Sequence, residues 1–154
     1  MFEIKMTAPE LQKFMGQIQA NANLYGLPAV IATELYNQTV KNFESNGRPS
    51  WAGLHPKTLA KRAKMGIGGE NILRVKGKLF DAITPFSGND FAGVGVSATV
   101  PYAAIQHFGG IAYRGAKIPA RRYIPIDASG NLQPEAETAI VGVVSHYLRS
   151  LGFD

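Results

Sequence analysis

A chain of 154 residues with 45% hydrophobic and 18% charged side chains is long enough to bury one core and too apolar for wholesale disorder. It has no cysteine, which excludes disulfides and thiolate chemistry and leaves any zinc site to histidine and carboxylates. Its formal charge of +5 is uneven: from Arg48 to Lys78 eight basic residues stand against Glu70 alone, so this stretch carries +7 and the remainder is close to neutral or slightly acidic.

No run approaches the ~20 apolar residues of a membrane span. The opening MFEIKMTAPELQKFM lacks the apolar stretch of a secretory signal, and the Arg121-Arg122 pair is too internal to be a twin-arginine signal. Absence of cysteine suits a reducing cytosol.

In chain order, residues 8–25 are expected to form a helix. Leu11, Phe14, Met15, Ile18, Ala22 and Tyr25 fall on one stripe, with Thr7 as N-cap, Pro9 and Glu10 in the first turn and Gly26 as the stop. Pro28 opens a second helix over about 28–43, with Val30, Ile31, Leu35, Tyr36, Thr39 and Phe43 at helical spacing. Residues 44–71 are rich in glycine and charge and read as a long, mobile, basic loop holding one short helix, about Pro56–Met65. Trp51 sits in this polar stretch, as a loop pin or as a partner anchor. Leu79–Ile83 is a helical turn, and Ile83–Phe86 and Phe91–Ser97 flank SGND as a β-hairpin. Pro101–Phe108 is a short helix stopped by Gly109-Gly110, and Tyr123–Asp127 is a short strand that Pro119 and Pro125 confine to an edge. The last helix runs over about Pro134–Leu151, with Ala136, Ile140, Val143, Val144, Tyr147 and Leu151 on its apolar face. The order predicts an α+β fold: N-terminal helices and a C-terminal helix packed on a small antiparallel sheet, in a single 1–154 domain.

The titratable residues form no catalytic or metal-binding pattern. His55, His107 and His146 are far apart, and His107 ends a short helix, where a structural role beside the dipole is expected. The acids show no paired spacing, and no GxSxG, HExxH or P-loop is present. GIGGEN at 66–71 lacks both the strand and the Lys-Ser/Thr of a phosphate cradle. No nucleophile, base and orienter assemble, so the expectation is no enzyme, no cofactor and no metal. The basic stretch has the sign for nucleic acid but no helix-turn-helix, RNP or KH signature, which leaves nonspecific backbone contact.

One segment resists a purely local reading. IPARRYIPI, residues 118–126, sets two cations among apolar residues and prolines, shortly after PYAAIQHFGG at 101–110. With Gly47-Arg48-Pro49-Ser50-Trp51-Ala52-Gly53-Leu54-His55-Pro56-Lys57-Thr58, with Ile72-Leu73-Arg74-Val75-Lys76-Gly77-Lys78-Leu79 running on to Ile83, and with the Val-Gly hairpin, these pieces form an ordered set over about residues 30–150. In that order they resemble the tailed-phage virion morphogenesis family, which includes tail completion proteins of phages and prophages. Two positions depart from its pattern: Arg122 stands where a proline is common, and Lys76 where a threonine is.

The resemblance implies a structural role at tail completion or head–tail joining, in the virion and, during assembly, in the host bacterial cytoplasm. It implies a ring-forming subunit, monomeric or weakly associated when free, whose partners are copies of itself and other tail or connector proteins, with no membrane. A ring interface is heterologous, and arginines on an extended edge would reach a neighbour's carboxylates as forks. The residues expected to meet partners are Arg121, Arg122, Tyr123 and Trp51, with Arg48, Lys57, Lys61 and Arg62 from the basic stretch. The alternative for the arginines is an internal pair with an acid such as Asp127 or Asp81. The alternative for the whole chain is a small basic nucleic-acid-binding protein.

Overall fold

The computed structural model describes residues 2–5 and 24–152. Leu24–Gly26 make a turn, closed by Leu27 N–H to the Leu24 carbonyl at 3.1 Å, and the remainder of the helix expected over 8–25 lies outside the described residues. Helix α1 then runs Leu27–Glu44, with Pro28 in its first turn, where no N–H is missed. Its stripe Leu27, Ile31, Leu35, Thr39 and Phe43 is buried, and at Gln38 and Asn42 the same stripe turns polar while staying buried.

A basic helix α2, Pro56–Lys64, follows a turn-rich connection, and α3, Lys78–Asp81, is the single helical turn expected there. The hairpin strands are β2, Ile83–Ser87, and β3, Ala92–Val96. Strand β1, Phe2–Lys5, was not expected; it pairs antiparallel with β3, Phe2 opposite Val96, so the sheet order is β1-β3-β2. As the middle strand β3 is buried along its whole length, which small Ala92, Gly93 and Gly95 permit. Helix α4, Ala103–Phe108, leads to a miniature ladder of β4, Gly110–Ile111, and β5, Lys117–Ile118. Helix α5, Pro134–Ser150, packs along α1, and α1 lies against β2 and β3. Of the stripe expected on α5, Ala136, Ile140 and Val144 are buried and Val143 and Tyr147 half-buried; Leu151 falls past the helix end and is exposed. The fold is α+β, as its element order predicts.

The core is aromatic at its centre. Phe43 meets Trp51 edge-on at 5.8 Å, Phe80 edge-on at 5.2 Å and Tyr123 at 5.5 Å between centroids. Tyr123 belongs to the segment expected as an edge strand, and here the structure corrects the sequence. Residues 123–127 form no ladder beyond one bridge, Ile126 to Leu132, and Tyr123 and Ile124 are 0% exposed. Pro119 and Pro125 have no N–H to give a sheet, so the segment is held by the Asn42 side chain on the Tyr123 carbonyl and by backbone bonds to the turn that follows, Asp127 N–H to the Asn131 carbonyl and Gln133 N–H to the Pro125 carbonyl.

Candidate functional site

The stretch 118–126 is a strut through the core. Asn42 Nδ2 donates to the Tyr123 carbonyl at 3.1 Å and to Gln133 Oε1 at 3.0 Å. Arg48 Nε donates to Asn42 Oδ1 at 2.8 Å and its Nη2 to the Gln38 carbonyl at 2.9 Å, and Gln133 Nε2 returns to the Arg48 carbonyl at 2.6 Å. This polar knot fastens α1, the loop at 48 and the start of α5 to the strut. The Tyr123 hydroxyl donates to the Ala103 carbonyl at 2.9 Å, and burial pushes that phenol well above its ordinary pKa. Gln38, Asn42 and Gln133 were not singled out from sequence, although Ile31, Leu35, Gln38 and Asn42 share one helical stripe, where a polar residue marks a buried bond.

Arg121 does not project from an edge. It is 6% exposed, and its Nε and Nη2 each donate at 3.1 Å, to the Ala52 and Gly53 carbonyls. Neither Asp127 nor Asp81 answers it: Asp127 Oδ1 accepts from the Ser129 and Asn131 amides at 2.8 and 2.9 Å, capping its own turn. Arg62 repeats the pattern, 8% exposed, with Nη1 and Nη2 donating to the Asn71 and Ile72 carbonyls at 2.9 and 2.7 Å. Arg74 lies over the Phe80 ring at 3.9 Å. The basic stretch therefore divides by residue type. Arg48, Arg62 and Arg74 are engaged by the fold, whereas Lys57, Lys61, Lys64, Lys76 and Lys78 are exposed. A planar fork suits carbonyl pairs; a compact ammonium is better solvated.

Trp51 is half-buried and pins its loop: besides the Phe43 contact, its Nε1–H donates to the Arg122 carbonyl at 3.3 Å. Gly47, at φ +101°, makes room for that ring, because a Cβ there would run into the indole. Gly109, at φ +72°, does the same for the strut; a Cβ would lie 2.7 Å from the Ala120 amide nitrogen. Arg122 itself is half-exposed, beside a second hollow walled by Trp51, Asp127 and Glu135.

His107 is fully buried, edge-on to Tyr123 at 4.9 Å. Burial, and then the Arg122 guanidinium, pull its pKa down from 6.5 to about 4, so it is neutral and not the cation that a helix C-terminus favours. His55 Nδ1 accepts from the Lys57 amide at 3.2 Å and caps α2. Among the described residues no group of histidines and carboxylates could hold a metal ion.

Two surfaces remain. The first is a cleft of about 770 Å³ between the loop at 53–58, the segment 72–79 and the strut, lined by Arg62, Arg121, Lys76, Lys78 and Lys117 with Tyr102 and Gln106. The second is the β4–β5 tip, where Phe108, Ile111 and Tyr113 are 50%, 77% and 87% exposed. Of the expected partner residues, the structure brings Arg62 and Arg121 to the cleft, leaves Lys57 and Lys61 on exposed α2, and buries Tyr123.

The phage virion morphogenesis family model matches residues 7–149. The chain is 35% identical over 130 residues to the G protein of Escherichia phage Mu, named for capsid assembly, covering 80% of this chain and 81% of that one. It is 32% identical over 155 residues to the Mu-like prophage FluMu G protein 2 of Haemophilus influenzae, covering 98% and 99%. No solved structure matches it.

Proposed function

The chain belongs to the phage virion morphogenesis family, and from that premise we propose that it is a non-catalytic structural subunit acting at tail completion or head–tail joining, where it forms a ring. A phage assembly role comes with the family; the place and the ring are the proposal. The observation that carries it is the β4–β5 tip. Ile111 and Tyr113 are among the most exposed large apolar side chains described, two residues apart in the chain, Ile111 on β4 and Tyr113 in the turn, residues 113–115, that joins β4 to β5. Adjacent exposed apolar side chains mark an interaction surface more often than a solvated one. One tip meeting a different face of the next copy is the heterologous contact that closes rings. Site of action would be the host cytoplasm during assembly and then the virion; among the described residues no helix is long and apolar enough to cross a membrane.

The test is a double substitution, Ile111→Ser with Tyr113→Ser, in a phage or prophage that depends on this gene. The expected result is a folded protein, no infectious particles, and heads and tails accumulating unjoined. Normal particle yield would reject the proposal. A second reading, nonspecific nucleic-acid binding, is favoured by the cationic cleft alone; it requires DNA affinity that falls steeply with salt.

A further inference from the structure

The cleft beside the strut holds a charge imbalance. Its lining carries Arg62, Arg121, Lys76, Lys78 and Lys117 and no carboxylate among the described residues. Two of these cations are deeply set, Arg62 at 8% and Arg121 at 6% exposure. A buried cation is costly unless acceptors or an anion offset it. Each guanidinium meets two carbonyls and so uses two of its five N–H donors. Burial, and then the charge of Arg62, pull the Arg121 pKa below its ordinary value. Both line one hollow of about 770 Å³, within the range of ligand sites, and the three lysines around it are exposed. An anionic group entering there supplies the missing charge to two forks at once.

The remaining wall selects among anions. Leu54, Ile72, Val75 and Ile118 make it substantially apolar, and Val75 is 41% exposed. A nucleic-acid strand is charged at every unit and needs aromatic platforms for its bases. Tyr102 is the one tyrosine, tryptophan or phenylalanine among the described lining residues. A peptide in which carboxylates alternate with apolar side chains fits both the cations and the wall.

We propose that this cleft docks an acidic, partly apolar peptide segment of another virion protein, a carboxylate meeting Arg62 and Arg121 at the floor and flanking acids meeting Lys76, Lys78 and Lys117. The inference rests on the assembly reading and names the chemistry of a partner. Its test uses the full chain. The probes are overlapping short peptides covering the structural proteins of the same virion, a synthetic peptide alternating glutamate and leucine, and oligothymidylate. Expected is binding confined to acidic segments, lost when their acids become amides, and weakened about tenfold or more by Lys76→Glu, Lys78→Glu and Lys117→Glu together. These lysines are exposed, so the triple variant keeps its melting midpoint, whereas substituting Arg121 would disturb the loop at 52–53. No peptide binding, binding indifferent to either change, or displacement of every peptide by oligothymidylate at lower concentration than by free acidic peptide overturns it. If the tip variant still assembles, the assembly reading fails whatever the peptides do; if it does not assemble and no peptide binds, the cleft inference alone fails.

Discussion

Arg121 and Arg122 stand side by side in the chain and face different surroundings. The Arg121 fork closes on two carbonyls of the loop at 52–53, and Arg122 contributes its backbone carbonyl to Trp51 while its side chain stays half-exposed. Their alanine variants should therefore differ. Arg121→Ala removes two charge-assisted hydrogen bonds and is expected to destabilise by about 1.5–3 kcal/mol. At roughly 2–4 °C of midpoint per kcal/mol for a chain of this size, thermal melting resolves it. Arg122→Ala leaves the Trp51 bond intact and should stay within about 0.5 kcal/mol. Equal losses in the two variants would contradict this division. The same Arg122 charge bears on His107, whose pKa is depressed from 6.5 to about 4 by burial first and Arg122 second. Below pH 6.5 the unfolded chain takes up a proton at His107 that the native chain refuses. The stabilisation is thus complete above 6.5 and lost progressively as pH falls toward 4, by up to about 3 kcal/mol. Arg122→Ala should move the His107 titration upward by NMR; an unchanged or lower value would exclude the Arg122 contribution.

The segment 44–71 joins α1 to the cleft, and its composition reads as a mobile loop holding one short helix. The structure gives it uneven anchorage. The Gly47 amide donates to the Asn42 carbonyl and the Trp51 amide to the Asn46 carbonyl, both at 2.7 Å, and Asn46 reaches across to the Glu70 carbonyl and the Ile72 amide. Gly68 and Gly69 have no such bonds. Hydrogen exchange is expected to be slow at Gly47 and Trp51 and fast at Gly68 and Gly69; uniform fast exchange across 44–71 would restore the composition-based expectation. Elements whose identity is local were legible in advance: α1, α2, α4 and α5 from stripes and their glycine or proline punctuation, and the β2–β3 hairpin from SGND between alternating arms. What escaped is what only tertiary contact creates. FEIK becomes a strand because β3 offers it an edge, and YIPID goes no further than one bridge to Leu132, since Pro125 has no N–H to extend a ladder. The two arginine clamps, Arg62 and Arg121, escaped for the same reason, since a carbonyl pair is a property of backbone shape and leaves no residue type to read. At the site, Arg62, Lys76 and Lys78 were visible within a charge run, but not that Arg62 turns inward while Lys57 and Lys61 stay out, nor that Lys117 and Arg121 join them from elsewhere in the chain.

At the scale of the whole molecule, the folded chain combines a densely bonded frame with a few exposed apolar side chains. The knot around Asn42 and Gln133 and the aromatic cluster at Phe43 fix the frame, whereas the tip presents few apolar side chains: Phe108, Ile111 and Tyr113. Fully burying one large apolar side chain is worth about 1.5–3 kcal/mol. Three such contacts, already partly shielded, fall near or below the ~4–15 kcal/mol of lost translational and rotational freedom that association must overcome. The ring proposed above would then be unstable for two free copies and stable once each subunit gained a second neighbour and a partner surface, since the energies add within one assembly. The expected outcome is a 16.6 kDa monomer by sedimentation velocity at low micromolar concentration. Weak association should appear as concentration rises, be insensitive to salt, and vanish in the Ile111→Ser, Tyr113→Ser variant. Salt-sensitive association that survives this variant would shift the self-contact from the tip to the lysines around the cleft. A stable oligomer at low micromolar concentration, unaffected by the same substitutions, would leave the tip without the role given to it.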